Sequence, residues 1–443
     1  MATGRALRRE LTLPAATALV VGQVIAVGIF LTPGSMIRTL ASPLWVLIVW
    51  AIIGGMAICG ALCYGALAAR YPQAGGGYVY LREAYGPRLA FLYGWKCFLI
   101  MDPGITAALA TGLASYIGYI VPLGNAAQRV VGIGAIVALA LVHMAGVRPG
   151  TRLLTTLAIL KVALIAGLVA LALASPAGDW RHFVPFASRP PDAAPFGAAL
   201  VGALIGAFFS FGGWWEVTKI AGEVRDPART MPRALWLGLG VVTLVYTMTT
   251  LAFIYVIPIA QVGAGEAFVA QVGTVLLGRT GGVAVAAIVV VCVLGSLAAV
   301  LMLGPRVYFA MARDGLFPAA AAAVHPRFGT PARAIAAQAI LASVLVALGT
   351  FDTIVAYFIF ITVAFIALTV AAVFVLARRD PSFEVPGYPW TAVTFLALVA
   401  ALLALLALNN PLQAILGVVL VALGVPVYAF TRPTVAVPTE VSP

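Results

Sequence analysis

Three charged residues stand where an apolar run should continue. In FFSFGGWWEVTKIAGEVRDP, residues 208–227, the adjacent glycines Gly212 and Gly213 lead into two tryptophans and then Glu216, Lys219 and Glu223. The spacing i, i+3, i+7 puts the three charges on one stripe of a helix. Two chemistries are open to that stripe. Glu216 and Lys219, or Lys219 and Glu223, can neutralise one another facing a bundle interior. Alternatively Glu216, less than one turn past Gly213, can line a ligand cavity. Either arrangement keeps charge away from lipid, where an ionised side chain costs at least ~2.5 kcal/mol. Glu223 reads as part of a closure, paired with Arg306 or Arg82. Asp102, in IMDPGITAAL, either pairs with a buried lysine such as Lys96 or Lys161 or contacts a positive group on a substrate. An unpaired buried carboxylate would be expensive, which favours the pairing.

Catalytic and metal chemistry finds little support. Of the four cysteines (Cys59, Cys63, Cys97, Cys292) none forms a CxxC pair, and only three histidines are present. No disulfide framework, metal site or cofactor is implied. QAGGGYVYL is glycine-rich but lacks the GxxxxGK[ST] order that cradles phosphate. No covalent chemistry is expected, so the chain is read as a non-enzyme.

The elements that must position these groups are membrane helices. Hydrophobic residues make up 63% of the chain and charged residues only 9%, which no ordinary soluble domain resembles. Apolar stretches long enough to span recur at 13–40, 43–69, 87–121, 126–145, 152–175, 195–222, 233–258, 281–312, 331–350, 352–377, 391–409 and 411–431, giving twelve spans. The first follows RALRRE without a small-residue cleavage site and reads as a retained span. Lys and Arg concentrate on the loops of one side, which predicts cytoplasmic N- and C-termini and explains the net charge of +12 without nucleic acid. Residues 1–12 and 432–443 read as flexible cytoplasmic tails. The remaining partners are the lipid bilayer and a small molecule.

Two spans carry glycine-centred interruptions five spans apart: GQVIAVGIFLTPG in the first and FSFGGWWE in the sixth. A single interruption would fit close helix packing. Matching interruptions in the two halves of a chain point instead to an inverted-repeat transporter, in which broken helices leave backbone groups free for a ligand. The free carbonyls of one half-helix suit an ammonium group, and the free N–H groups of the next suit a carboxylate.

GIFLTPG, YPQAGGGYVYLREAYGP, FSFGGW…AGEVRDPARTMPRAL and GPRVYFAMARDGLFP with HPRFGTPARA together resemble the amino acid–polyamine–organocation (APC) superfamily, and within it bacterial relatives of the L-type amino acid transporters. The resemblance implies an all-α polytopic membrane protein with a LeuT-type 5+5 inverted repeat and broken helices 1 and 6. The repeats would cover residues 13–175 and 195–377, with two further helices over 391–431. A substrate carboxylate would meet backbone N–H groups around Ala26, Val27 and Gly28, and its amino group the carbonyls near Val24, Phe209 and Gly212. Phe209 matches the aromatic residue that covers the substrate, and Tyr246 a tyrosine near the site in some relatives. The sequence departs from the pattern where Ala26-Val27-Gly28 replaces Gly-Ser-Gly, where Trp215 and Glu216 follow GGW, and at Asp102. The cysteine through which eukaryotic relatives join a heavy chain is missing from VPLGNAAQR, so no covalent heavy-chain partner is expected.

Lys161, in TLAILKVALIAG, lies roughly nine residues (about 14 Å) from the cytoplasmic end of its span, too far to snorkel out. In the family, a lysine here puts its ammonium where sodium-coupled members hold a cation between spans 1, 5 and 8. Leu303-Gly304-Pro305 in span 8 offers no hydroxyl for sodium, which agrees. The expectation is a sodium-independent secondary transporter of an amino acid or close amine derivative in the plasma membrane, working by alternating access as an exchanger or proton-coupled symporter. A polyamine or other organic-cation permease of the same fold is the alternative. A channel would want a continuous polar pore, and an embedded enzyme a nucleophile or metal cluster; the spans offer neither.

Overall fold

Most helices here are apolar on every side, and such helices are stable only against lipid or other helices. The computed structural model describes residues 9–26, 28–262, 267–348, 351–409 and 411–431, and these form an all-helical bundle without a named strand. In chain order the α-helices are α1 (Leu13–Val24), α2 (Gly28–Leu40), α3 (Pro43–Arg70), α4 (Gly77–Tyr85), α5 (Pro87–Lys96), α6 (Asp102–Ile120), α7 (Asn125–Met144), α8 (Val147–Leu173) and α9 (Phe196–Ser210). Then follow α10 (Pro227–Val256), α11 (Ala267–Leu277), α12 (Gly281–Leu303), α13 (Pro305–Arg313), α14 (Ala332–Leu348), α15 (Phe351–Arg379), α16 (Trp390–Asn409), α17 (Pro411–Ala422) and α18 (Gly424–Thr431). Pro43, Pro87, Pro227 and Pro305 sit in first turns, where a missing N–H costs nothing.

Among the described residues nine helical stretches are long and apolar enough to cross a membrane, and α1 and α2, bent by 51° at the break between them, pass the same test only when taken together. Two more apolar helices, Ala332–Leu348 and Ala414–Phe430, are shorter. The chain is therefore a multi-pass membrane protein. α1 lies deep in the bundle, packed on α8, α10 and α12, while α2 packs along α9.

Three local features depart from a plain α-helical reading. The second half of the sixth span, Trp214–Glu223, winds as a 3-10 helix. At three residues per turn Glu216 and Lys219 eclipse one another, and Glu223 leaves their stripe. Cys97–Met101 forms a π turn that joins α5 to α6 and delivers Asp102 at the head of α6. The expected looseness of residues 1–12 fails at its inner end. The backbone N–H groups of Glu10 and Leu11 both donate to Glu223 O at 2.9 Å, and Arg225 N donates to Leu11 O at 2.8 Å. These bonds strap the chain start to the end of the 3-10 helix, and Arg148 Nε, at the head of α8, reaches Glu10 at 3.1 Å.

Candidate functional site

The two interruptions meet. α1 ends at Val24, Ile25 turns extended, and α2 restarts at Gly28. α9 ends at Ser210, after which Gly213 takes φ +104, a left-handed conformation that favours glycine. Gly28 touches the end of α9: a Cβ there would lie 2.7 Å from Ser210 Cα, so only glycine lets the two broken helices approach. Thr32 Oγ1 and Ser210 Oγ share a 2.6 Å hydrogen bond across the same contact. The Tyr246 hydroxyl, from α10, points at Val24 O (3.0 Å) and Ser210 O (2.8 Å), one carbonyl from each break.

Between the breaks lies a cavity of about 110 Å³. Val24, Ala26, Gly28, Phe209, Gly212 and Trp215 form part of its wall. Val27, expected beside them, lies outside the described residues. Gln23, Ser210, Ser296 and Thr362 supply its polar side chains, and α6, α15 and α16 close it with apolar ones such as Leu109, Val363 and Leu402. Among the described residues, no charged one lines it. Tyr246 and Glu216 are not on the wall either. Tyr246 braces the breaks from behind, and Glu216 pairs with Lys219.

That ion pair belongs to a buried group. Lys219 Nζ contacts Glu216 Oε2 and lies 2.8 Å from Asp102 Oδ1, and the second Asp102 oxygen accepts from Tyr308 OH at 2.9 Å. Asp102 is thus paired with Lys219, not with Lys96 or Lys161 as the sequence suggested. Lys96 Nζ reaches Met101 Sδ at 2.8 Å and stands 4.8 Å over the Tyr93 ring.

Lys161, also fully buried, donates to Gly22 O (2.8 Å), Ile25 O (2.6 Å) and Cys292 O (2.9 Å), with Ser296 Oγ at 3.3 Å. Its ammonium therefore sits among α1, α8 and α12, against the carbonyls that the break in α1 frees. The span 8 residues at this point are Cys292 and Ser296. Leu303-Gly304-Pro305 lies elsewhere, with Gly304 against Asp102 and Gln338. The argument from a missing hydroxyl is therefore corrected: Ser296 brings one, and it donates to Gly22 O at 2.8 Å.

Below the 3-10 helix, Arg306 clasps Glu223 through Nε (2.7 Å) and Nη2 (3.2 Å), both side chains fully buried. Arg82 is not part of that clasp. It pairs with Glu83 and Asp314. Burial works against its guanidinium, but the bonds to Glu83 and Asp314 outweigh it and hold Arg82 above the ordinary arginine value.

Sequence reasoning missed Gln23, Ser296 and Thr362. Each is a lone polar residue in an apolar stretch, which was the available signal, but no spacing distinguished them from packing residues.

Comparison with known proteins gives one consistent result. A family model described as amino acid permease matches residues 11–429. SteT, a serine/threonine exchanger of Bacillus subtilis (strain 168), is 29% identical over 429 residues, covering 95% of this chain and 96% of that protein. Asc-type amino acid transporter 1 of Mus musculus is similar at 29% identity, over 96% of this chain and 81% of its own. The large neutral amino acids transporter small subunit 2 of Homo sapiens is similar at 28%, with the same two coverages of 96% and 81%.

Proposed function

The chain belongs to the amino acid permease family, and on that premise we propose that it is a secondary transporter carrying an amino acid with an uncharged side chain across the membrane by alternating access. The observation that carries this reading is the cavity: both helix breaks contribute to it, and no charged residue lines it among the described residues. An α-amino acid is a zwitterion of nearly fixed shape. Its carboxylate fits the N-terminal end of α2 at Gly28, where backbone N–H groups lack helical partners. Its ammonium fits the carbonyl oxygens near Val24, Phe209 and Gly212. The side chain then faces Phe209, Trp215 and the apolar wall. The substrates named for the relatives, serine and threonine or large neutral amino acids, carry no side-chain charge and agree with such a wall. A polyamine or other organic cation would bring positive groups into a cavity without a carboxylate, which is costly; that alternative is disfavoured.

The architecture proposed with this function is the one the sequence suggested: twelve spans, two inverted five-span repeats over 13–175 and 195–377, helices over 391–431, both termini cytoplasmic, and a plasma-membrane location. Lys161 supports sodium independence, because its ammonium occupies the space among α1, α8 and α12 with three carbonyls as ligands. Glu223 and Arg306 close the cytoplasmic side. Counterflow in proteoliposomes tests the proposal. Trans-stimulated, saturable exchange of neutral amino acids with sodium replaced by choline is expected. Exchange only of amines or cationic amino acids, or strict sodium dependence, would overturn it.

A further inference from the structure

Lys219 serves two carboxylates at once, and the second is left incomplete. Asp102 is satisfied: Oδ1 accepts from Lys219 at 2.8 Å and Oδ2 from Tyr308 OH at 2.9 Å. Glu216 shares the same ammonium through Oε2, but its other oxygen, Oε1, is buried and has no hydrogen-bond partner among the described residues. Asp102, Glu216 and Lys219 are all at least 97% buried. The titratable groups facing Glu216 are Lys219 on its own element, Tyr64 of α3, Tyr93 and Lys96 of α5, Cys97 of the π turn, Asp102 of α6 and Tyr308 of α13. Lys96 is the only cation there besides Lys219, and it makes no ion pair among the described residues, turning to Met101 and Tyr93 instead. The one ammonium that touches both carboxylates cannot fully serve each, in a medium that penalises an incompletely paired charge. Two carboxylates that share a site resist being ionised together.

We propose that Glu216 is a proton-binding site, with the proton carried on Oε1 opposite the Lys219 contact, and that this site gives transport its dependence on pH. The assignment of the transport part rests on the function proposed above. Both oxygens of Asp102 already accept from donors. Glu216 takes the proton, because Oε1 is the one carboxylate oxygen of the group with room for it. The link to the cavity is direct. Trp215, the preceding residue on the same 3-10 helix, lines the cavity, so movement of that helix during transport changes the surroundings of Glu216. Lys161 plays a different part: its ammonium touches three carbonyls and, among the described residues, no carboxylate.

Infrared difference spectroscopy of the purified protein, between alkaline and acidic buffer and without substrate, reads the proton site by itself. A carboxylic-acid carbonyl band in the parent that is lost in Glu216→Gln is expected. It should also be lost in Asp102→Asn, since removing the rival carboxylate leaves Lys219 wholly to an ionised Glu216. A parent without the band, or a band that persists in Glu216→Gln or in Asp102→Asn, overturns the site. In proteoliposomes the parent's uptake should vary with pH, and that of Glu216→Gln should not. An equal pH profile in both, or a flat parent, overturns the link to transport. Should no amino acid be carried at all, the function proposed above fails, while the infrared result still decides the proton site.

Discussion

Lys161 and Lys219 are both fully buried, yet they are compensated in opposite ways. Among the described residues Lys219 meets full charges, two carboxylates and no carbonyl partner. Lys161 meets only neutral dipoles, three carbonyls and a hydroxyl. Two of those carbonyls, Gly22 O and Ile25 O, lie at the end of α1, where the break removes their helical donors and the helix dipole is negative. A broken helix thus does the work of a counter-ion. The difference is one of reversibility. Carboxylates can take up a proton and let a cation go, whereas amide carbonyls cannot, so the Lys219 group has partners that can switch and the Lys161 group does not.

The comparison is sharpened first by deleting each cation. Lys219→Met strands two buried carboxylates and should cost about 3–5 kcal/mol, seen as a large fall in thermal midpoint in detergent and loss of uptake. The triple change Lys219→Met, Asp102→Asn, Glu216→Gln removes the whole charged group and should recover most of that stability. Lys161→Met should cost about 2 kcal/mol, because Ser296 continues to donate to the α1 carbonyls and leaves less unsatisfied. Neutralising other residues should give it no rescue, since no carboxylate is stranded; recovery by such a change would break the contrast.

A smaller effect is expected from Gly28→Ala. The new Cβ must push Ser210 away from α2, costing about 1–2 kcal/mol, and affinity for a neutral amino acid in a binding assay should fall more than stability does. The smallest belongs to an exposed pair. The hydrogen bonds from Ser382, hydroxyl and amide, and the nearby Arg70 hold Asp380 below the ordinary aspartate value. A lowered carboxyl contributes stability above its ordinary value and loses it as pH falls through the lowered one. At the surface that contribution is screened, so Asp380→Asn should lower the thermal midpoint only slightly at neutral pH, and the difference from the parent should vanish in acid.

The sequence was most readable where a local geometry favours a single residue type. Gly28, Gly212 and Gly213 announced both breaks, because glycine in an apolar run loosens the helix wherever it faces. Partners across the bundle were far less readable. Asp102 and Lys219 are 117 positions apart, and nothing in an apolar span reports which neighbour it packs on. α12 shows the limit most plainly. It is apolar all round, so no periodicity reveals that Cys292 and Ser296 face Lys161 and that Leu303 does not. The 3-10 winding of Trp214–Glu223 was also hidden. The same residues fit an α-helix by composition, and only the packing around Thr218, Lys219 and Gly222, each close to the 74–76 turn, shows the tighter path.

The strap formed by Glu10 and Leu11 on Glu223 and Arg225 has a kinetic consequence. It touches neither the cavity wall nor any group that reads a substrate. A contact of that kind weights the equilibrium between conformations without choosing among ligands. Its bonds come from main-chain amides, so ordinary side-chain changes at Glu10 leave them in place, whereas proline removes a donor. Loosening the strap therefore multiplies the turnover of every substrate by one common factor, and their order of preference stays as it was.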